Sequence, residues 1–434
     1  MIRNLCLVMA ALCAVMAAPA SAQLPRVATY EVRPGDTLLA IAQRYLRGSN
    51  AVKKLQRANG IANPRRMPIG KMLKIDRSLL KFQDVKLEVL EFSGQVLISN
   101  APAARNLVLK EGEIVATQAN GYVTFSTEYG GRISLPSNSR ARLIRARRYI
   151  LGNALDVNFQ IEKGRGSATS PKLQGDDQLL LTTPRAVTAV RGTDFRVAFD
   201  DQAERSITEV TEGTVAVASG TDRIEAAQGF GVATTDTGLA EPEALLPAPK
   251  LIDPAKIQTY EQVRFRLDPV AGATAYRVQV ARDAGFLDIL SGVIVDGDEA
   301  VFTDLPNGNY FARARAISAS GIEGFSTEEV ERFRRKRFGV AASTGPSDLI
   351  DGFVFKWVAE GDPNATFAFQ LWQTNDEGDD PAALIVDEAG LTITEMVLTD
   401  LAPGRYSWRV AAVQAEADGL LKVWGPTQKL KISD

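Results

Sequence analysis

The sequence predicts a multidomain, mainly β protein with one small helical module near its N-terminus. Short alternating apolar stretches, separated by turn residues about every ten positions, fill residues 86–240. Residues 255–434 contain an internal repeat of strand-like segments. Helical periodicity is confined to residues 28–76. These observations predict a βααβ module, an all-β solenoid or sandwich domain, and two Ig-like β-sandwiches.

The first 22 residues are predicted to be a secretory signal peptide. Arg3 supplies a positive start, an apolar run extends from Leu5 to Ala18, and Ala20-Ser21-Ala22 precedes Gln23 as a cleavage site. We therefore expect a periplasmic protein with no membrane span after cleavage.

The composition excludes most catalytic and metal chemistry beyond that leader. The two cysteines, Cys6 and Cys13, lie within it, and the chain has no histidine. Disulfides, thiol nucleophiles, Cys/His zinc sites and Ser-His-Asp triads are therefore excluded, and we expect no cofactor. The 50 basic residues balance 52 acidic ones, which gives no indication of a nucleic-acid partner.

Residues 28–76 read as strand, helix, helix, strand. A strand over Glu31–Arg33 ends at the Pro34-Gly35 turn, and Asp36 is predicted to cap the first helix. The second helix closes at Asn59-Gly60, and a strand returns at Met72–Ile75.

The segments "PGDTLLAIA", "LQRANGI" and "PIGKMLKI" resemble the LysM domain. The resemblance implies binding of N-acetylglucosamine-containing glycan, chiefly peptidoglycan, in a groove between two loops whose main-chain groups read the acetamido substituents. Arg65-Arg66 makes the second loop more basic than usual. Alternatively, Asp36 and Thr37 only cap the helix. The implied glycan-binding residues are Gly35, Asp36, Thr37, Leu38, Asn59, Ile61, Asn63 and Ile69.

Residues 86–240 resemble the FecR periplasmic domain, most specifically in "TPRAVTAVRGTDF" from Thr183 to Phe195. FecR proteins pass a signal from an outer-membrane receptor to a cytoplasmic sigma factor across one membrane helix. This chain shows no such helix, so the resemblance implies a β-rich module that packs against an envelope protein partner. Arg191 is expected to pair with Glu209 or Glu212, and an anion contact is the alternative.

A basic run lies within the same region, at Arg140, Arg142, Arg145, Arg147 and Arg148. A charged, solvated strand edge is the favoured interpretation. Attraction to anionic wall or lipid polymers is the alternative.

Residues 241–254 are rich in proline and are predicted to be an extended spacer. Beyond it, "VFTDLPNGNYFARARAIS" matches "VLTDLAPGRYSWRVAAVQ", so residues 255–338 and 346–434 are two copies of one unit. Both resemble fibronectin type III sandwiches, with Trp357 at the core position that Leu267 takes in the first copy. The resemblance implies that Tyr310 and Tyr406 cap a loop through their hydroxyls.

Two further features of the second copy leave alternatives open. Trp372 and Trp424 suit the core better than a sugar-stacking surface. The acidic loop with Asp376, Glu377, Asp379 and Asp380 suits a hairpin insertion better than a calcium site.

The sequence therefore predicts a non-catalytic periplasmic scaffold that binds peptidoglycan and presents its β domains to envelope proteins. A sensor subunit that relays a signal through a separate membrane protein is the alternative. A carbohydrate-active enzyme is a weaker third, because no pair of facing carboxylates is evident.

Overall fold

The computed structural model describes residues 26–433 apart from 65–66, 172, 191–192, 253, 328–329, 349–351, 362, 375–383 and 417–418. The predicted signal peptide, Arg65-Arg66, Arg191 and the acidic loop at 376–380 lie outside the described residues. The chain divides into two compact units at Leu245/Leu246. Within the described part, no helix has the length and apolar character that a membrane crossing requires.

The N-terminal module, residues 26–81, has the predicted βααβ order. Its elements are β1 (Val27–Glu31), α1 (Leu38–Tyr45), α2 (Ala51–Ala58) and β2 (Met72–Asp76), followed by a short 3-10 turn at Arg77–Leu79. β1 and β2 pair antiparallel, and alternate residues of each strand face inward. Leu38, Leu55 and Leu73 are fully buried between the two-stranded sheet and the helices. Burial of these side chains orients both helices on the sheet.

The barrel, residues 82–245, is a closed ring of hydrogen-bonded strands. In keeping with the alternating apolar pattern of residues 86–240, the side chains of Phe125, Leu135, Phe195 and Val217 lie in its core, whereas Phe199 is only half-buried. The mainly β prediction is thus confirmed. The strands are β3 (Phe82–Asp84), β4 (Leu87–Ser93), β5 (Val96–Ile98), β6 (Ala101–Pro102), β7 (Val108–Leu109), β8 (Ile114–Thr117), β9 (Tyr122–Thr127), β10 (Arg132–Leu135), β11 (Arg140–Tyr149), β12 (Leu155–Thr169), β13 (Gln178–Thr182), β14 (Val187–Val190), β15 (Asp194–Asp200), β16 (Arg205–Glu212), β17 (Thr214–Ser219), β18 (Asp222–Ala227), β19 (Phe230–Thr235), β20 (Gly238–Leu239) and β21 (Glu243–Ala244).

Strand β12 closes the barrel because it pairs differently along its two halves. The first half pairs with β11 and β13, and the second half pairs with β10 and β15. The change occurs at Gly164, whose φ is +75°. A Cβ at this position would lie 2.5 Å from the main-chain oxygen of Asn138. Only glycine therefore accommodates both the backbone conformation and the close approach of the neighbouring turn.

The N-terminal module and the barrel share one hydrophobic core. Tyr149 and Ala154, from the β11–β12 turn, are buried against the module's own apolar residues. The Lys81 N–H donates to the Tyr45 carbonyl at 2.7 Å, and the Ile150 N–H donates to the Lys81 carbonyl at 3.0 Å. We call this contact, formed by residues 77–82 and 149–154, the seam. Because of the seam, the module packs directly on the barrel and is not connected to it by a flexible linker alone.

Buried polar contacts reinforce the seam. Arg77 is buried, donates to Asp176 at 2.9 Å and lies 5.7 Å from the Tyr149 ring. The Tyr149 hydroxyl donates to Asp156 at 3.1 Å. Burial, followed by the charge of Asp156, raises the pKa of Tyr149, so this hydroxyl stays protonated and remains a donor.

The first sandwich begins at Leu246. Its strands are β22 (Leu251–Ile252), β23 (Ile257–Gln258), β24 (Val263–Leu267), β25 (Ala273–Ala281), β26 (Ile289–Val295), β27 (Glu299–Phe302), β28 (Gly308–Ser318), β29 (Glu323–Ser326) and β30 (Glu331–Arg335). One sheet has the order β22-β24-β27, and the other has the order β23-β30-β28-β25-β26 with β29 beside β28. Phe265, Tyr276, Val278 and Tyr310 meet in the core between the sheets.

The second sandwich repeats this plan. Its strands are β31 (Gly339–Pro346), β32 (Phe353–Glu360), β33 (Thr366–Gln373), β34 (Leu384–Leu391), β35 (Glu395–Leu398), β36 (Gly404–Glu416), β37 (Gly419–Trp424) and β38 (Gln428–Ile432). The sheet β31-β32-β35 packs against the sheet β34-β33-β36-β37. Trp357 lies in the core, as predicted, together with Phe355, Phe367 and Tyr406.

Matching hydrogen bonds support the internal repeat. The hydroxyls of Tyr310 and Tyr406 donate to the carbonyls of Pro306 and Ala402, at 2.9 and 2.6 Å. Arg313 and Arg409 each donate to a glutamine on the neighbouring strand at 3.0 Å. The loop-capping role predicted for both tyrosines is confirmed.

The ends of the sandwiches differ from the predicted boundaries. Gly339–Pro346 pairs with β32, so the second sandwich starts before residue 346. Leu251–Ile252 pairs with β24, so the first sandwich starts before residue 255. A short terminal strand has too few residues to show an alternating apolar pattern. Its position is therefore seen only from its pairing with a neighbouring strand.

Residues 241–254 are likewise not a free extended spacer. Glu243–Ala244 pairs with β19, and the Leu245 N–H donates to the Gly229 carbonyl. On the other side of the unit boundary, the Leu246 carbonyl accepts from the Phe325 N–H at 3.0 Å. A high proline content favours extended backbone. In this segment the extended backbone pairs with the edges of neighbouring sheets and does not form a separate spacer.

Candidate functional site

The two predicted glycan-binding loops leave the same end of the β1–β2 sheet. The Val32 N–H donates to the Lys71 carbonyl at 3.0 Å, and the Gly70 N–H donates to the Val32 carbonyl at 2.8 Å. These bonds continue the ladder beyond both strands, so the turn at 68–71 lies beside the turn at 33–36. The structure therefore brings together the parts of the chain from which the groove is predicted.

Asp36 holds the first loop in shape. Its carboxylate accepts from the Arg33 N–H and from the Tyr30 hydroxyl, both at 2.8 Å. The hydrogen bond from Arg33, followed by that from Tyr30, lowers the pKa of Asp36. Gly35, with φ +84°, makes the turn that Asp36 closes.

The predicted helix cap at Asp36 is wrong, because Thr37 takes that role. Thr37 has extended backbone angles, and its hydroxyl accepts from the Ala40 N–H at 3.0 Å. Its carbonyl accepts from the Ile41 N–H. The first N–H groups of a helix have no partner within the helix. Leu38 is buried and Leu39 is exposed, so the Leu39 N–H remains available at the loop.

The side chains of Leu38 and Ile61 cannot contact a ligand. Both are buried in the module's core, since they lie on the inward faces of α1 and of the chain after α2. The main-chain groups of Ile61 are also engaged, because its N–H donates to the Gln56 carbonyl and its carbonyl accepts from the Gln56 side-chain amide. The exposed apolar side chains of the two loops are Leu39, which sequence reasoning missed, and Ile69, with 55% and 68% of their surfaces exposed.

Asn59 ties the second loop to the sheet. Its side-chain NH₂ group donates to the main-chain carbonyls of Leu55 and Lys74. Its side-chain oxygen accepts from the Lys74 N–H at 2.6 Å. These bonds replace main-chain pairing where α2 ends. Asn59 thus orients the loop, while Asn63 and Ile69 lie exposed farther along it.

The basic run on β11 is neutralised within the barrel. Arg140 and Arg142 both donate to Glu162, at 2.8 and 2.7 Å. Arg145 pairs with Asp156 and Arg147 pairs with Glu111, at 2.9 and 2.5 Å. The run therefore has internal partners, and these contacts favour a structural role over attraction of external polyanions.

A buried charge cluster lies elsewhere in the barrel. Glu209 is fully buried and accepts from Arg165 at 2.5 Å and from Arg196 at 2.6 Å. Two guanidinium groups around one carboxylate form a compensated group in the fold.

The tryptophans of the second sandwich support a structural interpretation. Trp372 is fully buried, so a sugar-stacking surface that includes its ring does not form. Trp424 is half-buried, and its ring lies 4.2 Å from the Arg409 guanidinium and 4.4 Å from the Lys422 ammonium. Within the described part of the chain, no group of three or more His, Cys, Asp or Glu side chains is placed to hold a metal ion.

Two family models match the chain. The LysM domain model matches residues 30–76, and the FecR protein model matches residues 113–216. Both are families of extracytoplasmic binding or regulatory domains. No curated protein sequence matches the chain.

Three solved structures show what the chain is similar to. A putative anti-sigma factor from Parabacteroides distasonis is 13% identical over 30% of this chain and 59% of that one, with a TM-score of 0.26. The FN1-FN3 domains of chicken CNTN1 are 13% identical over 68% of this chain and 98% of that one, with a TM-score of 0.24. A cytokine receptor complex is 15% identical over 42% of this chain and 95% of that one, with a TM-score of 0.24. The chain thus spans 59% of the first of these structures.

Proposed function

We propose that the protein is a non-catalytic periplasmic scaffold that binds peptidoglycan through the N-terminal module. The observation that carries the proposal is the pair of loops at the open end of the β1–β2 sheet, in the segment that the LysM model matches. The barrel and the two fibronectin type III-like sandwiches then present surfaces to envelope proteins. Residues 1–22 serve as the export signal in this proposal.

The groove binds sugar mainly through its backbone. The N–H group of the exposed Leu39 is a donor for an acetamido carbonyl. Gly35 leaves room for close approach, since a Cβ there would have nothing within 4 Å. Leu39 and Ile69 supply exposed apolar surface for the C–H face of the sugar ring.

The proposal is tested with Ile69→Ser and the matched variant Ile294→Ser. Both positions hold exposed isoleucines, but Ile294 lies in the first sandwich, 53% exposed. We expect Ile69→Ser to weaken binding to a chito-oligosaccharide and to peptidoglycan about tenfold, as loss of an apolar ligand contact does. Ile294→Ser should bind as the unmodified protein does. Failure of the unmodified protein to bind either glycan would overturn the proposal.

The second candidate function is a sensor subunit that relays a signal through a separate membrane protein. The FecR match over 113–216, together with the seam that joins the module to this barrel, favours it. Crosslinking in envelopes with and without added soluble glycan fragments distinguishes the two functions. A sensor should change its crosslinked partner when the glycan is added, whereas a scaffold should keep the same partner.

A further inference from the structure

The charge of the N-terminal module differs sharply from that of the whole chain. Residues 26–81 contain 13 lysines and arginines but only three acidic residues, whereas the full chain has 50 and 52. Such a local excess attracts anionic ligands.

Two of the module's three acidic side chains are already engaged. Asp76 pairs with Arg26 at 3.3 Å, and Asp36 accepts from Tyr30 and Arg33. Five cations around α2 form no ion pair among the described residues. This set, which we call the basic face, consists of Lys53, Lys54, Arg57, Lys71 and Lys74.

The basic face adjoins the second loop of the predicted groove. The three cations of α2 lie on its exposed side, opposite the buried Ala51 and Leu55. The Lys71 ammonium donates to the Asn59 carbonyl at 3.3 Å, which places it at the C-terminal end of α2. Asn59 is also bonded to the main chain of Lys74. Arg57, Lys71 and Lys74 thus lie at the point from which the loop departs, and Lys53 and Lys54 lie farther back on the exposed side of the same helix.

Helix stability does not explain these charges. Arg57 lies in the last turn of α2, where a cation interacts favourably with the helix dipole. Lys53 and Lys54 lie near the N-terminal end of the same short helix, where positive charge is unfavourable. The like charges also repel one another. By contrast, the arginines of β11 are neutralised by nearby carboxylates.

We propose that the basic face binds the carboxylates of the peptide stems attached to the glycan strand. The proposal rests on the proposed function and deepens it: the preferred ligand is an anionic, peptide-bearing glycan and not a neutral N-acetylglucosamine polymer. The loops bind the sugar, and the ammonium and guanidinium groups beside them form charge-assisted hydrogen bonds to the carboxylates.

The test compares a charge variant on two insoluble glycans. The variant Lys53→Gln, Lys54→Gln, Arg57→Gln removes three positive charges and keeps long polar side chains. The control Lys86→Gln, Lys110→Gln, Lys250→Gln removes the same charge at exposed positions outside the module. Co-sedimentation is measured with peptidoglycan and with chitin, at low and at high salt.

We expect the charge variant to bind peptidoglycan about tenfold more weakly at low salt and to approach the control at high salt, because salt screens exposed charges. Its binding to chitin should equal that of the control. Peptidoglycan with carboxylates converted to neutral amides should bind the unmodified protein as weakly as native peptidoglycan binds the variant. Equal binding of the variant and the control to native peptidoglycan would overturn the inference. If binding to peptidoglycan were lost when its phosphate groups are removed, and kept when its carboxylates are amidated, the carboxylate assignment would be overturned.

The two possible failures are distinguishable. If the unmodified protein binds neither chitin nor peptidoglycan, the proposed function itself fails. If it binds both and the charge variant binds them equally well, only the role of the basic face fails. Thermal melting of each variant checks that the fold is intact.

Discussion

Individual residues of the predicted groove divide into those that build the loops and those that stay exposed. Asp36 and Asn59 use their side chains to fix the turns, and Thr37 caps α1. Ile69 instead points its apolar surface to solvent. The LysM resemblance implies a groove at these two loops, but residue type did not separate these roles, since Asp36 and Thr37 are both good helix caps.

The lowered pKa of Asp36 leads to a prediction about acid stability. A carboxyl whose folded pKa is depressed stabilises the fold above its unfolded pKa of about 3.9, and the stabilisation is lost as the pH falls through the folded pKa. Asp36→Asn should therefore melt at a lower temperature than the unmodified protein at pH 7. The difference should shrink below about pH 4. Melting curves between pH 7 and pH 2.5 measure it, and a difference that is independent of pH would contradict the prediction.

At the scale of elements, periodicity predicted most strands but not their ends or their pairing. The alternation at Phe125 and Val217 predicted inward-facing strands, and both side chains are buried in the barrel core. The short strands at Leu251–Ile252 and Glu243–Ala244 were missed, because two residues carry no period. The seam was also missed, since Tyr149 is about 70 residues away in sequence from β2 and about 120 from β1, and contacts of that range leave no local pattern.

The double pairing of β12 depends on Gly164. We expect Gly164→Ala to lower the free energy of unfolding by about 2–4 kcal/mol, since a positive φ and a backbone clash add together. Gly152→Ala is the matched control. Gly152 has φ +78°, but a Cβ there would have nothing within 4 Å, so about 1 kcal/mol is expected. Urea denaturation of both variants gives the comparison, and equal losses would show that the approach of Asn138 does not matter.

At the scale of the whole molecule, the seam makes the module and barrel one cooperative body. Tyr149→Ala should remove the ring that fills the shared core and cost about 3–5 kcal/mol. Tyr149→Phe keeps the ring and loses only the hydroxyl's bond to Asp156, which costs about 1 kcal/mol. Calorimetry of the 23–245 fragment should show one transition for the unmodified and Phe forms, and two for the Ala form. Two transitions in the unmodified fragment would mean that the module folds separately.

The division at Leu245/Leu246 predicts that each unit functions alone. The 23–245 fragment should bind peptidoglycan with the affinity of the full chain, because every residue of the proposed groove and basic face lies within it. The 246–434 fragment should melt cooperatively, since each sandwich has its own core. Sedimentation and thermal melting measure these properties. A large loss of affinity, or a fragment without a transition, would contradict the division.

The seam also determines the mechanical path through the barrel unit. A force applied to the module is transmitted to the barrel through β3 and the β11–β12 turn, where Lys81, Ile150 and Tyr149 make the contacts. β3 pairs with β11 over three residues. The force is therefore distributed between this strand pair and the hydrophobic core common to the module and the barrel, and no single peptide segment carries it alone. If the module is fixed to the wall, tension in the envelope is transmitted as shear to β11 and β12, the longest strands of the barrel. Strain in the wall would then load the two strands that meet the module directly.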